Sequence, residues 1–511
     1  MVHWYKTLSE HSLQLFLSHR VRLERRALAT VLIAACIISL LTACTVGPDY
    51  VRPTAEAPAA YKEGEGWKQA EPQDHVIRGA WWEIFDDPQL NSLEVQVNIS
   101  SQNVAAAEAQ FRQAIALVQV ARAGYFPTVT AGASYTRASR SSTAGVGNPG
   151  TSGSTLDDYL LPISGSWSID VWGRVRRLVE AGTASAQASA ALIESVRLLT
   201  QAQLAQNYFQ IRALDGQKKL LDETIIAFQK GLQLTQNRYA SGIASRADVL
   251  LAETQLKTTQ AQAIDIGVQR AQLEHAIALL VGTPASLFSI PVAPLNTVPP
   301  VIPVGVPSEL LERRPDIAAA ERNMAAANAQ IGVAKAAYFP AVTLNAVTGY
   351  ESGDLSKWLT WPSRFWSVGP AISETLFEGG LRRAQNEAAR AAYDATVASY
   401  RQTVLAGFQQ VEDNLAALRI LEGEARVQEG AVQAARQSVA IALNQYKAGT
   451  VNYLNVIVIQ AAALNNEITA VSIQSRRMTA AVFLIQALGG GWNASGLPAS
   501  DDLAGSHRTP R

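Results

Sequence analysis

The sequence predicts a mixed membrane α/β protein, with four transmembrane β-strands per chain joined to long coiled-coil helices and the whole built as two internal repeats. Three observations predict it. A ten-residue string and two shorter ones return after about 206 to 213 residues. Within each repeat the hydrophobic period switches between the helical value and two. The chain also opens with an export signal and carries little of what a large globular core needs.

The 511 residues include 43 basic and 43 acidic side chains, and 48% are hydrophobic but only 7% aromatic. At about 150 residues per domain the length suggests roughly two to four domains. Zero formal charge argues against a general nucleic-acid binder, which needs a basic surface. Two cysteines exclude a disulfide scaffold, a multi-cysteine zinc site and an iron–sulfur cluster. Much of the apolar fraction is alanine, so an elongated molecule fits better than one compact globule.

Arg20, Arg22, Arg25 and Arg26 precede a charge-free apolar run at 27–43. At about 17 residues this run is marginal for a spanning helix and reads as a secretory signal. It ends Leu41-Thr42-Ala43-Cys44, which resembles a bacterial lipobox. The resemblance implies cleavage after Ala43 and lipid, palmitate included, on Cys44. Thr45 follows where inner-membrane retention would call for Asp, so the implied address is the outer membrane. Loss of residues 1–43 removes Lys6 and the four arginines against Glu10 and Glu24, leaving a mature charge of about −3.

The repeat is plain in Ala121-Arg122-Ala123-Gly124-Tyr125-Phe126-Pro127-Thr128-Val129-Thr130, which returns as Ala334-Lys335-Ala336-Ala337-Tyr338-Phe339-Pro340-Ala341-Val342-Thr343. Tyr239-Ala240-Ser241-Gly242 returns as Tyr446-Lys447-Ala448-Gly449. The expected organisation is a signal peptide at 1–43, a lipid-anchored extended segment at 44–88 and a first repeat at 89–282. A Pro-rich linker at 283–307, a second repeat at 308–491 and a disordered tail at 492–511 follow. Helical spacing predicts helices over 90–124, 174–239 and 244–281, matched by 316–337, 381–446 and 452–488. Leu204, Ile211, Leu214, Leu221, Ile225, Phe228 and Leu232 form a heptad seam, interrupted by Asn207 and Lys218. A helix of about 65 residues is about 100 Å long. No long apolar helix is expected after the signal.

Four segments alternate with period two. Val129, Ala131, Ala133 and Tyr135 give one apolar stripe, and Tyr159, Leu161, Ile163, Trp167, Ile169 and Val171 a second. Val342, Leu344, Ala346 and Tyr350 give the third, and Trp366, Val368, Ile372 and Leu376 the fourth. Ser, Thr, Gly and Asn oppose them. Half-buried strands of a soluble sheet share this pattern, but four together behind an outer-membrane address favour barrel strands. Four strands cannot close, and an open edge in lipid leaves backbone groups unpaired at several kcal/mol each. Two chains give a filled eight-stranded barrel, whereas three give twelve strands and room for a passage.

With these residues in hand, the chain resembles the TolC-like outer membrane factors, most closely the NodT-type lipoprotein branch of tripartite efflux pumps. The carriers are Cys44-Thr45-Val46-Gly47-Pro48-Asp49-Tyr50, Trp81-Trp82-Glu83-Ile84-Phe85-Asp86-Asp87-Pro88-Gln89-Leu90, both Tyr-Phe-Pro strings, and the run from Pro307 to Ile317 with Arg313, Arg314, Pro315 and Asp316 as its equatorial motif. The resemblance implies a homotrimer with a twelve-stranded barrel on a periplasmic α-helical tunnel, seated in outer-membrane lipid. It implies two partners, a periplasmic adaptor and an inner-membrane RND-type pump. Gly242 and Gly449 break helical patterns, and by resemblance these turns form the periplasmic tip where the adaptor docks. The family often places carboxylates just beyond each turn as a gate. Asp248 fits in the first repeat, and it equally suits a solvated helix start. In the second repeat the candidates are Leu454, Asn455 and Val458, with no carboxylate among them.

No enzyme chemistry assembles. Gly145-Val146-Gly147-Asn148-Pro149-Gly150 matches G-x-G-x-x-G between two strands, with no helix to follow it. His3, His11 and His19 leave with the signal, His507 is in the tail, and His75 and His275 have no ligand set nearby. No metal and no cofactor is expected. The resulting expectation is a passive exit duct for drugs or other toxic small molecules. The alternatives are a duct for type I protein secretion and a structural periplasmic coiled-coil lipoprotein.

Overall fold

Nine α-helices, six short 3-10 helices and five strands lie in the described part of this computed structural model, which covers residues 45–54, 57–58, 60–63, 79–139, 155–302 and 307–505. The signal, Cys44 and the glycine string at 145–150 lie outside the described residues. The helices are α1 (Pro88–Ser100), α2 (Gln102–Ala123), α3 (Arg174–Ala240), α4 (Arg246–Leu280), α5 (Leu310–Arg313), α6 (Pro315–Ala336), α7 (Leu381–Ala448), α8 (Tyr453–Ala487) and α9 (Ser500–Gly505). The strands are β1 (Thr128–Ala131), β2 (Ser134–Ser139), β3 (Thr155–Ser168), β4 (Ala341–Ser352) and β5 (Arg364–Ser373). Two compact units divide them. One takes the described residues up to Val51, Ala116–Thr183 and Ala325–Asp394; the other takes Arg52–Ile115, Ala184–Met324 and the described residues from Ala395. Each unit draws on both sequence repeats.

The first unit holds the sheet, in the antiparallel order β1/β2, β3, β4, β5. The first expected strand is two pieces, because Pro162 lies opposite the gap at Gly132 and Ala133 and has no N–H to give. Gly132 N still donates to Pro162 O at 3.0 Å, so the register runs through the break unchanged. At the helix-to-strand turns, Trp167 Nε1 donates to Tyr125 O at 3.0 Å and Trp172 Nε1 to Pro340 O at 2.8 Å. Each Tyr-Phe-Pro string is thereby clamped by an indole.

The second unit is a helical bundle. Asp87 caps α1, accepting from Gln89 N and Leu90 N, with Pro88 in the first turn where its missing N–H costs nothing. The helix expected over 90–124 is broken at Ser101, whose backbone is extended. The break lets Ser100 Oγ donate to Val281 O at 2.6 Å, just past the end of α4. Along α3 the heptad seam is buried at Leu204, Ile211, Leu221 and Phe228. Lower down, Leu221, Ala263 and Leu464 form one apolar layer joining α3, α4 and α8.

Two expectations are corrected here. The segment from 492, expected as disordered, is packed through 505 in the described residues. Trp492 and Leu497 cover Ala191, Ala318 and Ala319, and Leu503 is buried, so apolar surface holds the segment down. A long apolar helix also exists after the signal. An 18-residue window of α8 has mean hydropathy 1.5, enough by composition to cross a membrane. Asn466 and Glu467 of this helix engage α7 instead: Gln428 Nε2 donates to Asn466 Oδ1 at 3.0 Å, and Arg436 pairs with Glu467. It is a bundle helix.

Candidate functional site

The sheet register gathers the four apolar stripes onto one face. Trp167 sits across from Leu344 and Leu344 across from Pro370; Ile163, Thr348 and Trp366 line up likewise, as do Val129, Gly165, Ala346 and Val368. Residues opposite each other in a ladder share a face. The other face carries Thr128, Ser164, Ser166, Ser168, Thr343, Asn345, Ser367 and Ser373, with Ser166 Oγ donating to Asn345 Oδ1 at 3.0 Å. Among the described residues of this unit neither face is covered: Trp366 is 69% exposed and Ile372 72% on the apolar face, and Ser367 and Ser373 are exposed on the other. Rings gather at the loop end of the strands, where Tyr135 stacks on Tyr159 at 4.8 Å and Arg364 lies over Trp361 at 4.0 Å. The strands β1/β2 and β5 each pair on one side alone. A one-layer sheet of this kind offers an apolar surface, a hydrated surface and two reactive edges.

In the helical unit, the equatorial motif turns out to be a clip. Pro315 opens α6 and Asp316 lies in its first turn. Arg314, 7% exposed, grips Asp316 through Nε at 3.0 Å and Nη2 at 2.7 Å. Its Nη1 donates to Gln410 Oε1 at 2.8 Å and to the Ala487 carbonyl at 3.0 Å. A buried cation therefore meets the negative C-terminal end of α8 and ties α6, α7 and α8 together. Arg313 is far more exposed and pairs with Glu309 at 2.9 Å.

Three features of this unit escaped sequence reasoning. The first is a buried ionic belt that straps the Pro-rich linker. Arg212 donates to Pro291 O at 2.6 Å and to Tyr208 Oη at 2.9 Å, while Asp215 accepts from Ala293 N at 3.0 Å and from Arg270 at 2.7 Å. Arg270 also donates to Ile290 O at 2.7 Å, and Glu274 accepts from Ile290 N. A linker with few N–H groups needs such side-chain partners. Burial, then the bond to Asp87, pushes the Tyr208 phenol far above its ordinary value. Charged residues next to the apolar seam, Arg212 beside Ile211, were the available signal. The second is Glu94 on α1, which has no exposed surface and no partner for either carboxylate oxygen among the described residues. Burial alone holds its pKa well above the ordinary glutamate range.

The third, a tie made by Arg238, lies at the hairpin ends that the two glycines mark. Gly242 and Gly449 have φ of +73° and +79°, and each closes a long helix in the left-handed turn that glycine tolerates. Ile243 N returns to Arg238 O and Thr450 N to Gln445 O, satisfying the last carbonyls. The next helix starts at once: Ser245 and Asp248 form a capping box, and Asn452 accepts from Asn455 N. Asp248 is thus engaged as a half-buried cap, and the second hairpin caps without a carboxylate. Leu454 and Val458 are about half exposed, at 49% and 58%. Arg238 links the two hairpins. It donates to the Tyr446 carbonyl at 2.8 Å and lies 4.7 Å from the Tyr446 ring, above a core of Ala252, Ala442, Tyr446, Tyr453 and Val456. Thr235 Oγ1 meets Tyr446 Oη at 3.1 Å, and burial pushes the Tyr453 phenol up to about 12. Arg238→Ala is expected to speed trypsin cleavage after the exposed Lys447 roughly tenfold, through lost capping of the α7 end. An unchanged cleavage rate would contradict this link.

A family model described as outer membrane efflux protein matches residues 95–283 and 306–490. The toluene efflux pump outer membrane protein TtgC of Pseudomonas putida is 29% identical over 456 residues, 89% of this chain and 94% of that protein. The cation efflux system protein CusC of Escherichia coli is 25% identical over 463 residues, 90% of this chain and 98% of that one. The solved structure of the outer-membrane channel OprN superposes with a TM-score of 0.81 at 30% identity, covering 88% of this chain and all of OprN. The family model spans most of the chain, and the chain belongs to the outer membrane efflux protein family.

Proposed function

We propose that three copies of this chain close their sheets into a twelve-stranded barrel and their helices into a periplasmic tunnel. The assembly is a passive exit duct for drugs or other toxic small molecules. The observation that carries this reading is the uncovered sheet, with a lipid-suited face, a Ser, Thr and Asn face, and two unpaired edges. Closure across copies satisfies both edges, and twelve strands leave a lumen where eight do not. The names of TtgC and CusC, toluene and cation efflux, point toward small solutes as cargo. A periplasmic adaptor docks at the ends marked by Gly242 and Gly449, and an inner-membrane RND-type pump supplies the energy. Asp248, Leu454, Asn455 and Val458 line the closed entrance, Leu454 and Val458 by apolar contact between copies. Cys44 carries the lipid anchor. No step of this transport is chemical, so the chain acts without catalysis.

Loss of the gene is expected to raise retention of at least one dye or drug in cells expressing the partner pump. Unchanged accumulation over a broad panel would count against efflux, and a functional monomer by light scattering in mild detergent would refute the shared barrel.

A further inference from the structure

Residues 45–49 are held by the first unit as a peptide ligand is held. Val46 N donates to Trp172 O at 3.3 Å. Arg177, 3% exposed on the first turn of α3, donates through Nε to Val46 O at 3.3 Å, and through Nη2 to Gly47 O at 3.4 Å and Asp49 Oδ1 at 2.8 Å. Asn328 on α6, 5% exposed, donates to Pro48 O at 3.0 Å. Three consecutive carbonyls thus each meet a buried side chain, a satisfaction that exposed chain would leave to water.

Shape agrees with the hydrogen bonds. Gly47 has φ of +109°, and a β-carbon there would stand 2.5 Å from the Cα of Gly332, one turn after Asn328 on α6. A β-carbon on Gly332 would in turn stand 2.8 Å from Arg177 Cγ. Thr45 packs on Gly173, where a β-carbon would come within 2.9 Å of Thr45 Cγ2.

We propose that Arg177, Asn328 and Gly332 form a backbone-reading seat for the chain's own N-terminal segment, and that this seat fixes where an acyl group on Cys44 enters the membrane. The lipid half rests on the lipoprotein reading of Cys44; the seat does not. A docked Thr45, packed on Gly173, leaves no free segment between the seat and an acyl group on the preceding residue, so the lipid becomes a fixed strut of the protomer and not a loose tether. Arg177 comes from the first repeat and Asn328 from the second, so the seat exists once the two repeats have packed. Anchor docking then reports, and favours, the completed protomer.

The test is hydrogen exchange on the full-length protein in detergent, with fatty-acid probe labelling of Cys44 run in parallel. Wild type and Glu180→Gln, which takes the charge from the Arg177 partner outside the segment, are expected to protect peptides spanning residues 45–51. Gly47→Ala and Arg177→Lys are expected to speed exchange there roughly tenfold or more, with label intake and the α6 and α7 peptides unchanged. Equal exchange in wild type and Gly47→Ala, or no protection in wild type, would overturn the seat. A protected segment without label on Cys44 would leave the seat standing and overturn the lipid half.

Discussion

Replacing Arg314 with alanine will lower the stability of the helical unit by about 3 kcal/mol, the scale of removing one partner from a buried, hydrogen-bonded ion pair. The loss is large because four hydrogen bonds go at once, to Asp316, Gln410 and the Ala487 carbonyl, and the end of α8 is left without its cation. Arg313→Ala next door will change stability by about 0.5 kcal/mol or less, since its pair with Glu309 is half exposed. Thermal midpoints of the two purified variants in detergent test the contrast. Equal shifts would mean that the motif acts by net charge and not by the clip. Arg314→Lys should recover part of the loss, because one ammonium can reach one of the partners but cannot fork across a carboxylate.

Glu94→Gln will stabilise the protein at neutral pH. Burial keeps the native Glu94 protonated above the pH at which an unfolded glutamate ionises. In that window the unfolded state sheds a proton that the folded state retains, so native stability falls as pH rises, by up to about 1.4 kcal/mol per pH unit from this one group. Below the ordinary glutamate range both states are protonated and the penalty vanishes. Glutamine mimics the neutral acid and removes the slope. The thermal midpoints of variant and wild type should therefore converge near pH 4 and separate as the pH rises above the ordinary glutamate range. Parallel curves would mean that Glu94 is charged and partnered in the assembled protein.

What the sequence made legible follows from which interactions are local. The heptad seam through Leu204, Ile211, Leu221 and Phe228 repeats along one helix, so its burial is written in spacing. The four sheet stripes are legible for the same reason, and the register adds that they coincide on one face. Gly242 and Gly449 announce their turns because a left-handed backbone selects the residue. The belt joining Arg212, Asp215, Arg270 and Glu274 to residues 290–293 is not legible. Its members are brought together by the packing of α3 on α4, and no spacing encodes that. The break at Ser101 and the packing of Trp492 on Ala191 and Ala318 have the same origin. Asp248 was readable as a helix start, and the capping box gives that reading its geometry.

The pairing of β3 with β4 also has a bearing on how the molecule comes to exist. Tyr159 meets Ser352 and Ser168 meets Thr343, partners that stand most of two hundred residues apart along the chain. Contacts of such long sequence separation repay their loop-closure entropy only after the intervening chain is ordered, whereas the helices gain from neighbours a few residues away. The order of events expected from this is helices first and sheet last. Until then each hairpin half, β1/β2 with β3 and β4 with β5, is a ribbon with an apolar side and a bare edge, the form most prone to mispair during synthesis.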